Sequence, residues 1–186
     1  MPNRPEPRIA AVAQDAMTAQ QRAAADALAS GPRGSVRGPF AVLLNSPGVF
    51  GPTQALGAYL RFDNALPANL RELAILVTAR HWRQDYEWTV HSRLALDSGV
   101  DAQAILAIAA DAEPVGLSRS ETIVHVFCRQ LHRSTTVDDA AYADAEQLLG
   151  QAGVVDLCAI CGYYAMLAMV MNVARNPLPG EQSPFT

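Results

Sequence analysis

Residues 67–100 read PANLRELAILVTARHWRQDYEWTVHSRLALDSGV, and the fold turns on how this stretch divides into elements. Its first half opens at Leu66-Pro67. Leu70, Leu73, Ala74, Val77 and Trp82 follow at helical spacing, roughly one apolar stripe along a helix that runs to Trp82. Proline suits the opening, because the first turn of a helix leaves its N–H groups unpaired anyway. Arg83-Gln84-Asp85 breaks the pattern. A second helix then carries Tyr86 to Asp97 and stops at Gly99, which suits a left-handed C-cap. Two helices joined by so short a break pack antiparallel.

This hairpin has a chemical consequence. Glu87 and His91 are four residues apart and share a helix face. Glu72 lies about three turns before the break and His91 about two turns after it, so the hairpin returns His91 towards Glu72. Two readings compete for the resulting set of Glu72, Glu87 and His91. Taken alone, an i,i+4 Glu–His pair belongs on a solvated helix surface and stabilises it by about 0.2–0.5 kcal/mol. Glu72, however, precedes the apolar run LAILV, and a buried carboxylate needs a partner. His91 is the nearest candidate. An imidazole so placed is suited to general acid or base work near neutral pH.

The rest of the chain is helical as well, without strand-like alternation. Thr18 and Gln21 form a capping box for a helix that stops at Gly31-Pro32, and GPRGSVRGP, residues 31–39, reads as a loop. Ser46-Pro47 starts a helix towards Phe62, with Gly51 weakening its first turns. Asp101 caps a short helix to Ala110, and Ser118 with Glu121 forms a second capping box for a helix to about Arg133. Asp138 or Asp139 caps a helix ended by Gly150 and Gly153. The last helix runs from about Val154 to Asn176, closed by Pro177. The expected fold class is all-α, a multi-helix bundle of roughly seven to nine helices. The 186 residues are expected to form a single domain with its core in 40–176 and flexible ends at 1–17 and 177–186.

Composition narrows the function. The net charge is -4 and no basic patch occurs, which disfavours nucleic acid as a partner. All 14 basic residues of the Lys/Arg count are arginines, so Schiff-base chemistry and a phosphate-loop lysine are excluded. The N-terminus lacks the apolar core of a signal peptide. The most apolar stretch, Val154 to Val173, is interrupted by Asp156, Tyr163, Tyr164 and Asn172, so no membrane span is expected. A soluble, cytoplasmic protein with three free cysteines is the expectation.

ELAILVTARHWRQDYEWTVHSRLALDSGV, residues 72–100, resembles the core motif of the carboxymuconolactone decarboxylase family, which includes the alkyl hydroperoxide reductase D-like peroxidases. The peroxidase branch has a glutamate, then a C-x-x-C pair, then a histidine four residues past the second cysteine. On this chain the glutamate falls on Glu72 and the histidine on His91, but the cysteine positions hold Gln84 and Glu87. The decarboxylase branch has a glutamate four residues before the histidine, matching Glu87 and His91. The resemblance extends upstream through NSPGVFGPTQALGAYLRFDNALP and downstream to GYYAMLAMVMN. It implies the family's helical fold and a symmetric homo-oligomer, a trimer or hexamer.

A C-x-x-C does occur, at Cys158 and Cys161, but in the wrong segment, with Ala165 where the family's histidine would stand. Its neighbours are apolar, which favours inert core cysteines, and Cys128 reads likewise. A zinc site is not expected: no second C-x-x-C exists, and His125 and His132 are seven apart with no carboxylate between them. His81 suits the carbonyls at a helix end.

The leading expectation is therefore an acid/base enzyme that needs no cofactor or metal. It would act on a small lactone or carboxylic acid, with His91, Glu72 and Glu87 catalytic. Tyr86, Gln84, Trp88, Arg80 and Tyr164 are the candidate substrate-binding residues; Arg80 and Arg83 read as surface arginines, one of which could instead hold a substrate carboxylate bidentately. A thiol-dependent peroxidase or disulfide reductase is the first alternative. A non-enzymatic small-molecule-binding or assembly protein is the second.

Overall fold

The apolar run after Glu72 organises the molecule. The computed structural model describes residues 6–175 and 183–185. Its α-helices are α1 (Ala19–Ala29), α2 (Pro39–Leu43), α3 (Pro47–Ala58), α4 (Ala68–His81), α5 (Asp85–Asp97), α6 (Ala102–Ala109), α7 (Arg119–Ser134) and α8 (Asp139–Ala174). A 3-10 turn, Gln14–Ala16, precedes α1, and a π-helical turn, Tyr59–Asp63, follows α3. No strand occurs among the described residues.

Helix α4 is central. Every residue from Glu72 to Ala79 is buried, so the expected stripe is in fact a helix buried all round. One side, with Leu70, Ala74, Ile75 and Val77, packs into a core with Val124, Phe127, Leu157 and Ile160 of α7 and α8. The opposite side, with Leu73, Leu76 and Ala79, packs against Trp88 and Ala95 of α5 and Ile105 and Ile108 of α6. Burying both sides fixes the rotation of α4 about its axis, and this is what holds Glu72 in place.

The hairpin forms as the sequence suggests. Arg83 takes a left-handed conformation (φ 49°), and Gln84 caps α5 by accepting from the Tyr86 N–H at 2.7 Å. Asn172 of α8 locks the turn: it donates to the Trp82 carbonyl at 2.8 Å and accepts from the Gln84 amide at 2.9 Å. The two capping boxes, at Thr18–Gln21 and Ser118–Glu121, are both present.

Two expectations change and one holds. Residues 39–43 form the short helix α2, opened by Pro39. The helix from Pro47 is α-helical only to Ala58 and then widens into the π turn. The two expected C-terminal helices meet at Gly150, whose non-helical backbone (φ 68°, ψ 172°) kinks the run α8 into two helical segments, as the sequence suggested. Glycine reaches this positive-φ, extended-ψ conformation without a steric penalty, which places the kink there. By length and composition α8 is apolar enough to cross a bilayer; half of its most apolar window is buried against the other helices.

Residues 6–17 and 183–185 touch the body of the fold. Arg8 N–H donates to the Ala174 carbonyl at 2.8 Å, Val12 and Met17 pack on the core, and Phe185 is buried edge-on against Trp88. Pro177, the expected stop of the last helix, lies outside the described residues.

Candidate functional site

His91 sits on α5 facing α4 and is 2% exposed. Its Nδ1 lies 2.6 Å from Glu72 Oε2, and its Nε2 lies 3.4 Å from Glu87 Oε2. Both carboxylates are buried, at 4% and 3% exposure, so the surface reading of the Glu87–His91 pair does not hold. Arg71 Nε lies 3.7 Å from the other Glu72 oxygen. Arginine, carboxylate, imidazole and carboxylate thus form a line of alternating groups. Burial alone would push the His91 pKa down. The hydrogen bonds and charges of Glu72 and Glu87 outweigh burial, and the pKa ends above the ordinary histidine value.

One end of this line opens onto a cavity of about 450 Å³, a size suited to a small organic ligand. Glu87 and His91 line it, with Tyr86 of α5 and Tyr163 and Tyr164 of α8. The Tyr164 ring stands edge-on to His91 at 5.0 Å, and Tyr163 stands edge-on to Tyr164 at 5.3 Å. Burial raises the phenol pKa of all three tyrosines, that of Tyr163 to about 12. They keep their protons at neutral pH and can donate hydrogen bonds. The rest of the wall comes from before α4: Phe40, Phe62, Arg33, Arg37 and Arg61, with Arg93 from α5. Four arginines face a single lining carboxylate, Glu87, in a chain whose net charge is -4. This concentration of positive charge favours anionic ligands.

Several polar atoms at this cavity lack a hydrogen-bond partner among the described residues: Glu87 Oε1, Tyr163 Oη, and Arg33 Nε and Nη2. Buried polar atoms are almost always satisfied, so such a cluster beside a cavity marks where a ligand or ordered water belongs.

The expected site residues divide. Glu72, Glu87 and His91 meet, and Tyr86 and Tyr164 line the same cavity. Gln84, Trp88 and Arg80 do not, and this corrects the sequence expectation. The Gln84 side chain is consumed in capping α5 and holding Asn172. Trp88 faces the core with Phe185, because its helical offset from Glu87 turns it to the α6 side. Arg80 lies over the Phe185 ring and lines a smaller cavity, of about 120 Å³, with His81, His125, Arg129, His132 and Arg133. Sequence reasoning missed Arg33, Arg37, Arg61 and Arg93. The only visible signal was a pair of arginines in the loop GPRGSVRGP.

The cysteines are not as isolated as their neighbours in sequence implied. Cys161 Sγ lies 3.5 Å from Cys128 Sγ. Cys128 and then His132 of α7 pull the Cys161 thiol pKa down, while burial and Cys161 hold Cys128 well up. Both are buried, however, and the exposed Cys158 has its pKa raised by partial burial. None of the three lines the His91 cavity.

The profile of the carboxymuconolactone decarboxylase family matches residues 47–126, from the start of α3 into α7. The match contains Glu72, Glu87 and His91. It excludes Arg33, Arg37 and Phe40 on one side and Tyr163 and Tyr164 on the other. No curated protein matches the chain.

Proposed function

We propose that this chain, whose residues 47–126 belong to the carboxymuconolactone decarboxylase family, is an acid/base lyase that removes CO2 from a small anionic lactone or carboxylic acid. The observation that carries the reading is a buried His91 held between two carboxylates at the wall of an arginine-lined cavity. In the reaction the bond between the substrate carbon and its carboxylate breaks. Its electron pair moves into an adjacent conjugated carbonyl and CO2 leaves. The carbon then takes a proton from His91 Nε2, which solvent later restores. The raised His91 pKa favours the protonated ring that serves as donor. Glu72 fixes the ring through Nδ1, while the long 3.4 Å contact with Glu87 leaves Nε2–H weakly engaged and able to donate to a substrate atom beside it.

No protein cofactor enters this scheme, and no cysteine takes part. The test is CO2 release from a panel of small carboxylated lactones and unsaturated acids, with wild type and His91→Gln compared. Release by the wild type and its loss in the variant supports the reading; equal release by both refutes it.

We also propose a symmetric homo-oligomer. Leu56, Tyr59 and Phe62 are exposed on one side of the chain, and Tyr59 bonds Asp156 beside the exposed Val155. An apolar patch spread over two elements is the usual mark of a subunit interface.

A further inference from the structure

Three of the chain's four histidines line the second, smaller cavity, away from His91. It lies between the C-terminal end of α4, which supplies Arg80 and His81, and one face of α7, which supplies His125, Arg129, His132 and Arg133 at helical spacing. Its volume of about 120 Å³ is well below the roughly 300–1,000 Å³ of organic-ligand sites, so it has room for a small ion. Three histidines raise the question of a metal, but no three His, Cys, Asp or Glu side chains among the described residues are placed to hold one. The charge of the wall favours an anion instead: three guanidiniums face it, and Asp111 is its one acid among the described residues. Arg129 pairs with Glu113 and Arg133 with Asp111, but both pairs are partly exposed and therefore weak, and each guanidinium keeps further N–H groups to donate. The Phe185 ring covers one face of the Arg80 guanidinium at 5.5 Å, and the buried Arg80 Nε has no hydrogen-bond partner among the described residues. His125 is the decisive group. It is 4% exposed, lines the cavity and makes no hydrogen bond among the described residues. A buried imidazole with neither nitrogen engaged marks where a ligand or ordered water belongs.

We propose that this cavity is a binding site for a free tetrahedral oxyanion of the phosphate or sulfate kind, held between α4 and α7 by Arg80, His125 and Arg129. The site is independent of the lyase reading, since none of its residues lines the His91 cavity. A tetrahedral oxyanion has acceptors on all sides, which suits donors that arrive from two helices. A carboxylate brings an organic body that so small a space does not admit. The histidines tie binding to pH. Burial lowers the pKa of His81 and of His125. His81 also faces His132, Arg133 and Asp111, and it stacks on His132 at 5.0 Å, so charging one ring opposes charging the other. His125 faces Glu113, Arg129 and Arg133. A bound anion favours the protonated form of both imidazoles, so binding takes up protons and tightens as pH falls.

The experiment is titration of the full-length protein with sodium sulfate, at ionic strength held constant with sodium chloride, followed by calorimetry and by the imidazole NMR signals of His125 and His132. Sulfate keeps its charge between about pH 6 and about pH 8, so only the protein titrates there. Saturable binding with a Kd of about 1 mM or tighter is expected, with the His125 signals moving and the affinity rising from about pH 8 to about pH 6. Arg80→Gln and His125→Gln should each weaken binding about 10- to 100-fold, because each removes a donor to a charged ligand. Arg129→Gln changes a partly exposed side chain and should act in the same direction, which keeps the site testable where a buried change upsets folding. Arg37→Gln, at the His91 cavity, should leave the response of the His125 signals unchanged, which separates this site from the other arginine-lined one. Phosphate should compete with sulfate for the same signals. His125 signals that sulfate does not move, movement that does not saturate, wild-type affinity in both Arg80→Gln and Arg129→Gln, or loss of the response in Arg37→Gln would each overturn the site.

Discussion

Replacing Glu72 by glutamine removes a charge while keeping a hydrogen-bond acceptor of nearly the same shape. In the wild type, Glu72 Oε2 meets His91 Nδ1 at 2.6 Å with both groups almost wholly buried. A buried hydrogen bond between charged groups contributes about 1.5–3 kcal/mol, and the amide recovers only part of it. The expected loss is therefore about 1–3 kcal/mol, or roughly 2–10 °C in Tm for a chain of this size. Its pH dependence is the more specific signature. The His91 pKa is raised in the folded protein, so its contribution to stability is fully present below the unfolded histidine value, about 6.5. That contribution disappears as pH rises through the folded value. Destabilisation by Glu72→Gln should thus be largest near pH 6 and shrink at higher pH. Urea unfolding at a series of pH values measures this, and the imidazole nitrogen shifts of His91 report its protonation directly. A deficit that does not change with pH, or a His91 that is neutral in the wild type at pH 6, would refute the account of a charged pair.

Other outcomes follow from the same geometry. His91→Ala should lower turnover by about 10²–10⁴-fold while circular dichroism shows unchanged helix content. Decarboxylation by the wild type should fall as pH rises through the raised His91 pKa, since the protonated ring is the donor; a rate that increases across that range counts against it. Cys158→Ala should leave turnover within a few-fold of wild type, and dithiol-dependent peroxide reduction should be absent from both proteins; a thiol-dependent peroxidase activity lost in the variant would reverse the assignment. Sedimentation at micromolar concentration should show an oligomer, and Leu56→Glu with Phe62→Glu should shift it towards monomer.

The fold was legible because its signals are local. Capping boxes, proline at a first turn and apolar spacing each act within a few residues, and they placed Thr18, Ser118 and Asp101 correctly as helix starts. The break within α8 was legible for the same reason: Gly150 looks like a terminator, and the backbone leaves helical geometry there. The carboxylate–histidine set was half legible. Spacing put Glu87 beside His91, but their burial depends on α8, whose Tyr164 covers the ring. The arginines of the cavity were invisible because they come from three separate segments. Arg33 and Arg37 stand in a loop, Arg61 in the π turn and Arg93 on α5, and nothing in their local sequence points to a common space. Arg80 was misplaced for the converse reason: it is near the site in sequence but on the far side of a helix buried all round.

The two positions where the resembling peroxidase pattern has cysteines show why this site suits proton transfer. At position 84 the side chain is structural: Gln84 accepts from the Tyr86 N–H and donates to Asn172, so it is spent holding the hairpin closed. At position 87 the side chain is divided. One oxygen of Glu87 meets His91 Nε2, and the other has no partner among the described residues and belongs to a residue that lines the cavity. A thiol at 87 would be a weaker hydrogen-bond acceptor and would lack the fixed charge that helps keep His91 protonated against burial. Glu87→Cys should therefore lower the His91 pKa and move the falling limb of the pH–rate profile to lower pH. It should not by itself create peroxidase activity, because position 84 still offers no second thiol. A pH–rate profile that does not move in this variant would show that Glu72 alone sustains the charged imidazole.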